Sequence, residues 1–260
     1  MNILIRADSS SYIGTGHIMR DLVLAKQYKN ENIIFATQNL VGNINHKIEE
    51  ENYKIELLKS NGFEELNKLV KKFEIDMIVI DSYDIDYNFE KKLKEDNSSL
   101  KFFVLDDTYE KHFCDILLNH NIYANEKKYK NKVPENCELR CGAKYTLLRD
   151  EFLEAKKAKK RVKKKNKTIF LGLGGADHKN LNIKILKVVE KFKKSLKVNL
   201  VTTTANKNLE ELKGYCKDKK WINLQINSNE VAKLMSKSDF AIVTPSVTAN
   251  EIFYLDLPMI

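Results

Sequence analysis

The residues that most clearly suggest a reactive site form a glycine-rich turn near the amino terminus, Gly14-Thr15-Gly16-His17. An apolar run at 2–8 precedes the turn and an amphipathic run at 16–29 follows it, which predicts a strand, a tight turn and a helix. Glycines let a ligand approach the backbone, and a helix N-terminus favours anions. A neutral imidazole, with a reference pKa of about 6.5, can accept a proton near neutral pH. His17 is therefore a candidate general base, although an arbitrary histidine more often packs against or caps a helix.

A second glycine-rich turn lies in the later half of the chain, at Gly172-x-Gly174-Gly175-Ala176-Asp177. It also connects a predicted strand to a predicted helix, where backbone amides and the helix dipole can hold a diphosphate. One such turn is a weak signal, but its repetition at the equivalent place strengthens it. It is not a P-loop, because no Lys-Ser or Lys-Thr follows at the required offset.

Polar residues follow three further predicted strands. Thr244 to Glu251 places hydroxyls and a carboxylate at the start of a helix, where Glu251 can bind ribose hydroxyls or simply belong to an acidic first turn capped by Ser246 or Thr248. Tyr83 is a candidate sugar contact. Asp106 and Asp107 are more typical of turn residues than of metal ligands.

The remaining histidines are expected on helix or loop surfaces, and they are His46, His112, His120 and His178.

Short apolar runs alternate with amphipathic runs along the chain, which predicts parallel strands covered by helices in an α/β fold. We expect two Rossmann-like domains, 1–160 and 161–260, with a cleft between the carboxyl ends of their strands. The last strand of the first domain is predicted at 143–148. The apolar run at 257–260 resembles the start of another strand, so we expect the second domain to lack its final strand and helix. The predicted elements cover residues 2–8, 16–29, 32–37, 43–51, 54–58, 63–73, 76–81, 86–95, 101–106, 115–119, 143–148, 168–173, 179–193, 197–203, 208–217, 222–225, 228–236, 240–243 and 248–254.

The composition is that of a globular protein, with 43% hydrophobic and 31% charged residues in 260. No window reaches the ~18–20 apolar residues of a membrane span, and the N-terminus lacks signal-peptide features, so a cytoplasmic protein without membrane partners is expected. Four scattered cysteines indicate structural thiols rather than disulfides or zinc. The net charge is +9, and a lysine-rich segment at 156–167 contributes to it. Such a segment is more typical of a solvated interdomain linker than of a nucleic-acid site.

Several motifs together resemble a known family. They are Arg6-x-Asp8-Ser9-Ser10-x-x-Ile13-Gly14-x-Gly16-His17-Ile18-x-Arg20-Asp21-Leu22, Cys114-Asp115-Ile116-Leu117-Leu118-Asn119, Arg140-Cys141-Gly142, Leu148-Arg149-x-Glu151-Phe152, Gly174-Gly175-x-Asp177-x-Lys179-Asn180 and Asn250-Glu251. Over essentially the whole chain they resemble the UDP-sugar hydrolases of pseudaminic acid biosynthesis, which act on UDP-2,4-diacetamido-2,4,6-trideoxy-β-L-altropyranose. The resemblance implies a GT-B architecture similar to the MurG-type glycosyltransferases.

The resemblance also implies a reaction. His17 would activate a water that displaces UDP with C–O cleavage and inversion, without a metal or cofactor, in a monomeric enzyme. Glu251 would bind ribose and the region 229–231 uracil, and Arg6, Ser10 and Tyr83 would line the sugar side. Family members continue into a further polar segment near the diphosphate, which this chain is expected to lack. The full set of substrate-binding candidates is Arg6, Ser10, Gly14, Gly16, Tyr83, Gly174, Gly175, Asp177, Val231, Ser246, Asn250 and Glu251.

Two other functions stay open at this point. A MurG-like glycosyltransferase would share the fold and the UDP site but would need an acceptor alcohol. A noncatalytic binder of nucleotide sugars or of polyanions would bind without turnover, and a polyanion would bind through the lysine-rich segment with strong salt dependence.

Overall fold

The computed structural model describes residues 1–158, 166–177, 179–244 and 247–260, and within them the chain forms two compact units, Met1–Leu147 and Leu148–Ile260. The boundary predicted at residue 160 lies outside the described residues. The division falls earlier because the segment after Leu148 forms a helix, Asp150–Ala158, that belongs to the second unit. Its Phe152 is fully buried in that unit's core. This helix was not predicted from the sequence, and its last residues were assigned to the lysine-rich linker at 156–167.

The first unit is a seven-stranded, wholly parallel sheet with helices on both faces, in the strand order β3-β2-β1-β4-β5-β6-β7. Its elements are β1 (Asn2–Ala7), α1 (Gly16–Ala25), β2 (Asn32–Gln38), α2 (His46–Glu50), β3 (Lys54–Leu58), α3 (Phe63–Lys72), β4 (Met77–Asp81), α4 (Tyr87–Asp96), β5 (Lys101–Leu105), β6 (Ile116–Asn119) and β7 (Glu138–Cys141).

The central strands are apolar along their length because both of their faces are covered. In β1, Leu4 packs into the apolar cluster on one face of the sheet, while Ile3 and Ile5 pack into the cluster on the other face. The same alternation in β4 places Ile78 and Ile80 opposite Met77 and Val79. The continuous apolar runs in the sequence therefore correctly predicted buried strands.

The last strand of this sheet was predicted wrongly. Residues 143–148 begin in a 3-10 turn, Ala143–Tyr145, and the strand at the sheet edge is β7. Its sequence Glu-Leu-Arg-Cys alternates polar with apolar residues, and the apolar Leu139 and Cys141 pack against the core. This short alternating pattern is typical of a half-buried edge strand, for which a search for continuous apolar runs gives no signal.

The second unit contains a four-stranded parallel sheet in the order β10-β9-β8-β11. After α5 (Asp150–Ala158) its elements are β8 (Lys167–Gly172), α6 (Leu181–Val189), β9 (Leu196–Thr202), α7 (Leu209–Cys216), β10 (Ile222–Ile226), α8 (Val231–Ser236), β11 (Phe240–Val243) and α9 (Val247–Tyr254). The run at 257–260 pairs with β11 in parallel through Met259, as its apolar residues predicted. Among the described residues, none of the helices combines the length and apolarity that crossing a bilayer demands.

In each sheet, the strands that directly follow the first strand in sequence lie on one side of it, and a later strand lies on its other side. In the first unit this change of side lies between β1 and β4, and in the second unit between β8 and β11. The connections that leave the two strands diverge there and open a crevice outside their carboxyl ends, which is where ligands bind in such sheets. The two glycine-rich turns follow β1 and β8.

Candidate active site

The turn after β1 is closed by hydrogen bonds between its own ends. The Ser10 amide donates to the Gly14 carbonyl at 3.2 Å, and the Gly14 amide donates back to Ser10 at 2.9 Å. Gly14 has φ +90°, a left-handed conformation that a side chain would strain. The Ser10 hydroxyl accepts from the Ile13 amide at 2.8 Å, so this predicted substrate contact already holds the turn. Helix α1 then starts at Gly16, and His17 lies in its first turn.

His17 meets the carboxylate that ends β4. Its Nδ1 lies 2.7 Å from Oδ1 of Asp81, and the two strands pair so that Asp81 stands opposite Ala7 of β1. An ionised carboxylate only accepts hydrogen bonds, so Nδ1 must carry the proton. The Nε2 lone pair of a neutral His17 is then available as a proton acceptor.

Arg20 holds Asp81 from the other side. It lies three residues after His17, on the same face of α1. Its Nε donates to Oδ2 of Asp81 at 2.6 Å, and a second guanidinium nitrogen donates to Oδ1. Burial alone would raise the pKa of Asp81, but Arg20 and His17 beside it hold the pKa well below its usual range. Asp81 is therefore ionised at neutral pH.

The same guanidinium extends the network to β5. Arg20 donates to Oδ2 of Asp107 at 3.0 Å, and the Tyr83 hydroxyl donates to Oδ1 of Asp107 at 2.8 Å. The Tyr83 ring meets the His17 ring edge to face at 5.0 Å. Tyr83 remains mostly exposed, so its ring can contact a ligand beside His17. Asp106, in contrast, accepts from the turn amides of Thr108 and Tyr109, which confirms the turn role predicted for it.

Two further buried groups complete this cluster. Asp21 is fully buried, and neither carboxyl oxygen has a hydrogen-bond partner among the described residues. Burial, followed by the charge of Asp81, raises the pKa of Asp21 well above its usual range. His120, just after β6, lies with Nε2 3.5 Å from Arg20. Burial and the Arg20 charge lower the pKa of His120 to about 4.

The surface positions predicted for His112 and His120 are wrong, because both side chains are buried. His178 lies outside the described residues. Four residues of the cluster were not among the predicted site residues: Arg20, Asp81, Asp107 and His120. The sequence did contain a signal for Arg20. His17, Arg20 and Asp21 recur at helical spacing on the buried face of α1, where apolar residues are the norm. No comparable local signal marks His120, because a lone residue after a strand has no helical period.

Arg6 is also fully buried, so its side chain does not face solvent. It donates to the Ala36 carbonyl at 3.2 Å, to Oδ2 of Asp8 at 2.5 Å and to the side chain of Asn61. Asp8 in turn accepts from the backbone amide of Gln38 at 2.7 Å. Arg6 is therefore in place to orient Asp8, and its direct contact with a sugar stays a prediction.

In the second unit, the glycine turn follows β8 beside the end of β11, with Gly172 paired to Val243. Gly174 has φ +71°. The Gly175 carbonyl accepts from the amide and the hydroxyl of Thr203, at 3.2 and 3.1 Å. The carboxylate of Asp177 accepts from the first-turn amides of Leu181 and Asn182, at 2.8 and 2.9 Å. An anionic group of the protein therefore already occupies the N-terminus of α6, which leaves the turn at 174–176 to receive any diphosphate.

Glu251 lies on α9 and is held by a residue that the sequence analysis left without a role. Arg149 Nε donates to Oε1 of Glu251 at 2.8 Å, while its NH1 lies 2.6 Å from Glu151. Burial raises the pKa of Glu251, although Arg149 opposes this shift. The bond from Arg149 engages one of the two Glu251 carboxyl oxygens, Oε1. Asn250 is equally buried, Val231 is half-buried at the start of α8, and Ser246 lies outside the described residues.

Across the described residues, no group of three or more histidine, cysteine, aspartate or glutamate side chains is arranged to hold a metal ion. The polar residues instead form an acid–base cluster in the first unit, which centres on His17. In the second unit they form a glycine turn near a buried carboxylate. The first arrangement can accept a proton, and the second can bind an anion and a hydroxyl-rich group.

No family model matches the chain. It is 38% identical over 255 residues to UDP-2,4-diacetamido-2,4,6-trideoxy-beta-L-altropyranose hydrolase of Campylobacter jejuni, covering 98% of this chain and 89% of that protein. MurG of Acinetobacter baumannii has a TM-score of 0.54 at 13% identity, covering 98% of this chain and 76% of that one. UDP-GlcNAc 2-epimerase of Neisseria meningitidis, bound to UDP-GlcNAc, has a TM-score of 0.55 at 13% identity, with coverages of 100% and 81%.

The two solved structures show the fold alone, and they confirm the predicted α/β fold of GT-B type. The curated relative carries more information, because its identity extends over nearly the whole of both sequences. The chain therefore belongs to the family of the UDP-2,4-diacetamido-2,4,6-trideoxy-beta-L-altropyranose hydrolases.

Proposed function

We propose that this protein hydrolyses a UDP-linked 2,4-diacetamido-2,4,6-trideoxy sugar at its anomeric carbon and releases UDP and the free sugar. The observation that carries the proposal is the contact of His17 Nδ1 with an ionised Asp81, which Arg20 holds in place. Family membership supplies the substrate class. The compound in the name of the Campylobacter jejuni relative, UDP-2,4-diacetamido-2,4,6-trideoxy-beta-L-altropyranose, is the first to test.

In the proposed mechanism, Nε2 of His17 takes a proton from water as that water attacks the anomeric carbon. Asp81 keeps Nδ1 protonated and stabilises the imidazolium that forms, as the carboxylate does in other histidine–carboxylate pairs. The C–O bond to the diphosphate breaks as the new bond forms, so the configuration inverts. Arg20 keeps Asp81 ionised throughout, and the Tyr83 ring packs beside the sugar.

We propose that the second unit holds UDP. The amides of Gly174 and Gly175 stabilise the charge that develops on the leaving diphosphate, which is the task of preorganised donors in group transfer. Glu251, oriented by Arg149, accepts from the ribose hydroxyls, with Asn250 and Ser246 nearby in sequence. The uracil base would pack against Val231. The reaction as proposed needs no added metal, so its rate is expected to survive dialysis against EDTA.

The test is to incubate the protein with the UDP-linked sugar in ¹⁸O-labelled water and to follow UDP release. Proton NMR during turnover reads the configuration of the first sugar product, and mass spectrometry locates the label. Inversion with the label in the sugar supports the proposal, whereas retention or a label in UDP contradicts it. His17→Ala should abolish release, while His46→Ala, an exposed histidine on α2, should leave it unchanged.

The same assay separates the other candidate functions. A glycosyltransferase would release UDP rapidly only after addition of an acceptor alcohol, and its product would be a glycoside. A noncatalytic binder would bind UDP in calorimetry without releasing it from the sugar. Either result would overturn hydrolysis as the activity of this chain.

A further inference from the structure

Two of the four cysteines lie against each other in the first unit, although they are 23 positions apart in the sequence. The Sγ atoms of Cys114 and Cys137 are 3.6 Å apart. Cys114 directly precedes the Asp115 that leads into β6, and Cys137 directly precedes β7. The parallel pairing of these two strands, in which Glu138 donates to the Asp115 carbonyl at 2.9 Å, brings the thiols together.

The two thiols differ in access and in acidity. Cys114 is buried, at 4% exposed, whereas Cys137 is half-buried and leads into the edge strand. The hydrogen bond from Cys114 lowers the pKa of Cys137, and the same bond together with burial raises the pKa of Cys114. An accessible thiol of lowered pKa is the one that attacks a disulfide, and a buried neighbour can then resolve the mixed disulfide.

We propose that Cys114 and Cys137 form a redox modification site that a low-molecular-weight disulfide oxidises to an intramolecular disulfide. The Cys137 thiolate attacks one sulfur of glutathione disulfide, forming a mixed disulfide and releasing one glutathione thiolate. The Cys114 sulfur then attacks Sγ of Cys137, and the second glutathione leaves as its thiol. Two protein thiols are oxidised and one glutathione disulfide is reduced to two thiols.

The two sulfurs already lie close to each other. A disulfide needs sulfurs at about 2.05 Å, so the two Sγ atoms must approach from a distance at which they already touch. The Cys137 amide donates to the Pro134 carbonyl at 3.0 Å, so a short turn precedes the edge strand. The thiols lie at the amino ends of β6 and β7, whereas Asn119 and Cys141 end those strands. Oxidation would therefore brace the edge strand at the end opposite the His17 cluster.

The other two cysteines offer internal controls. Cys216 is buried in the second unit, and burial raises its pKa to about 11. Burial likewise raises the pKa of Cys141 to about 11. Both should therefore stay reduced under conditions that oxidise the pair.

The experiment incubates the intact protein with excess glutathione disulfide, alkylates the remaining thiols and maps tryptic peptides without reduction. We expect loss of two thiols, one linked peptide pair joining Cys114 to Cys137, and a thermal midpoint that rises on oxidation and returns with dithiothreitol. Cys114→Ser should trap Cys137 as a stable mixed disulfide with glutathione. Cys137→Ser should leave Cys114 reduced, and Cys216→Ser should behave as the parent does.

Several results would overturn the proposal. These are an unreacted pair in the parent protein, a mixed disulfide at Cys137 that persists while Cys114 is present, or a link from either thiol to Cys141. Circular dichroism of each variant establishes that it is folded, and the peptide map of the parent decides the question without any variant. Because the readout is a covalent bond, the result is independent of the hydrolase activity proposed above.

Discussion

At the scale of single residues, the His17 cluster is organised around a carboxylate with two partners. Asp81 accepts from His17 at one oxygen and from Arg20 at both, and it is almost completely buried. A buried charge is stable only when it is paired and hydrogen-bonded, and Arg20 meets both conditions. The carboxylate can then fix the tautomer of His17 and stabilise its charged form.

Asp81→Asn tests this role. The amide can present a donor to Nδ1, which would favour the tautomer whose lone pair is on Nδ1 rather than on Nε2. We expect kcat to fall roughly 100- to 10,000-fold with little change in KM, since the loss concerns proton transfer. Steady-state UDP release is the measurement, and Asp218→Asn, an exposed position in the second unit, is the control. A loss no larger than that of the control would show that Asp81 does not assist His17.

The neighbouring carboxyl of Asp21 should behave in the opposite way. Asp21 is fully buried without a hydrogen-bond partner among the described residues, and burial raises its pKa, so we expect it to carry its proton at neutral pH. Asp21→Asn replaces one neutral group with another of similar shape, so kcat and the pH–rate profile should stay close to those of the parent. The infrared spectrum of the parent should show the carbonyl stretch of a protonated carboxylic acid, and the spectrum of Asp21→Asn should lack that band. A loss comparable to that of Asp81→Asn would mean that Asp21 works in its ionised form.

At the scale of elements, four strands of one sheet build the cluster. His17 follows β1, Asp81 ends β4, Asp107 follows β5 and His120 follows β6. Strands that are parallel end at the same edge of a sheet, so residues far apart in sequence meet there. The second unit uses the same device, with its glycine turn after β8 and Glu251 on the helix that follows β11.

The sequence predicted the parts of this arrangement that have a local pattern. Continuous apolar runs located most strands, and the two glycine turns were located between strand and helix. The contacts of His120 and Arg149 were not predictable, because they depend on the order in which strands pair and on how helices pack. Strand β7 and helix α5 were missed for a related reason: their apolar residues are few, and their burial depends on neighbours distant in sequence.

The close approach of Gly175 to Thr203 gives a prediction for the second glycine turn. A Cβ atom at Gly175 would lie 2.6 Å from the Thr203 hydroxyl and 2.7 Å from its methyl group, so the turn would have to shift. Gly175→Ala should therefore weaken UDP binding, by about tenfold if the shift costs about 1.4 kcal/mol of binding free energy. Titration calorimetry with UDP measures the change.

The matched control for that variant is Gly214→Ala in α7, where an added Cβ meets nothing within 4 Å. Alanine is favoured over glycine in helices by about 1 kcal/mol, so this variant should be as stable as the parent or more stable, with unchanged UDP affinity. Equal UDP affinities in both variants would argue against the turn at 174–176 as the diphosphate site.

At the scale of the whole molecule, lysines at the two ends of the lysine-rich segment form ion pairs at the surface. Its residues 159–165 lie outside the described residues. At its ends, Lys156, Lys157 and Lys167 pair with acidic residues of the second unit at 3.3, 2.8 and 3.3 Å. Exposed pairs of this kind contribute about 0–1 kcal/mol each, so they affect solubility more than stability.

A buried ion pair in the first unit has a larger effect on the stability of the protein. His112 Nδ1 lies 2.8 Å from Glu90, whose other oxygen accepts from the Phe113 amide at 2.6 Å, and His112 Nε2 lies 3.8 Å from Asp106. The Tyr129 hydroxyl donates to Asp106 at 2.5 Å. Burial opposes a charge on His112, but the two carboxylates prevail and raise the pKa of His112 to about 9. This cluster ties α4 to the connection between β5 and β6.

The raised pKa predicts how stability depends on pH. An unfolded histidine titrates near pH 6.5, so the folded state binds the proton more tightly, and the contribution of His112 is fully present below about pH 6.5. It is lost as the pH rises through about 9, and a shift of this size corresponds to at most about 3 kcal/mol of unfolding free energy. The thermal midpoint of the parent should therefore fall more steeply between pH 6.5 and 9 than that of His112→Gln, which has lost the titrating group. His46→Gln, at an exposed histidine, should keep the slope of the parent, and equal slopes for the parent and His112→Gln would show that His112 is not charged in the folded protein.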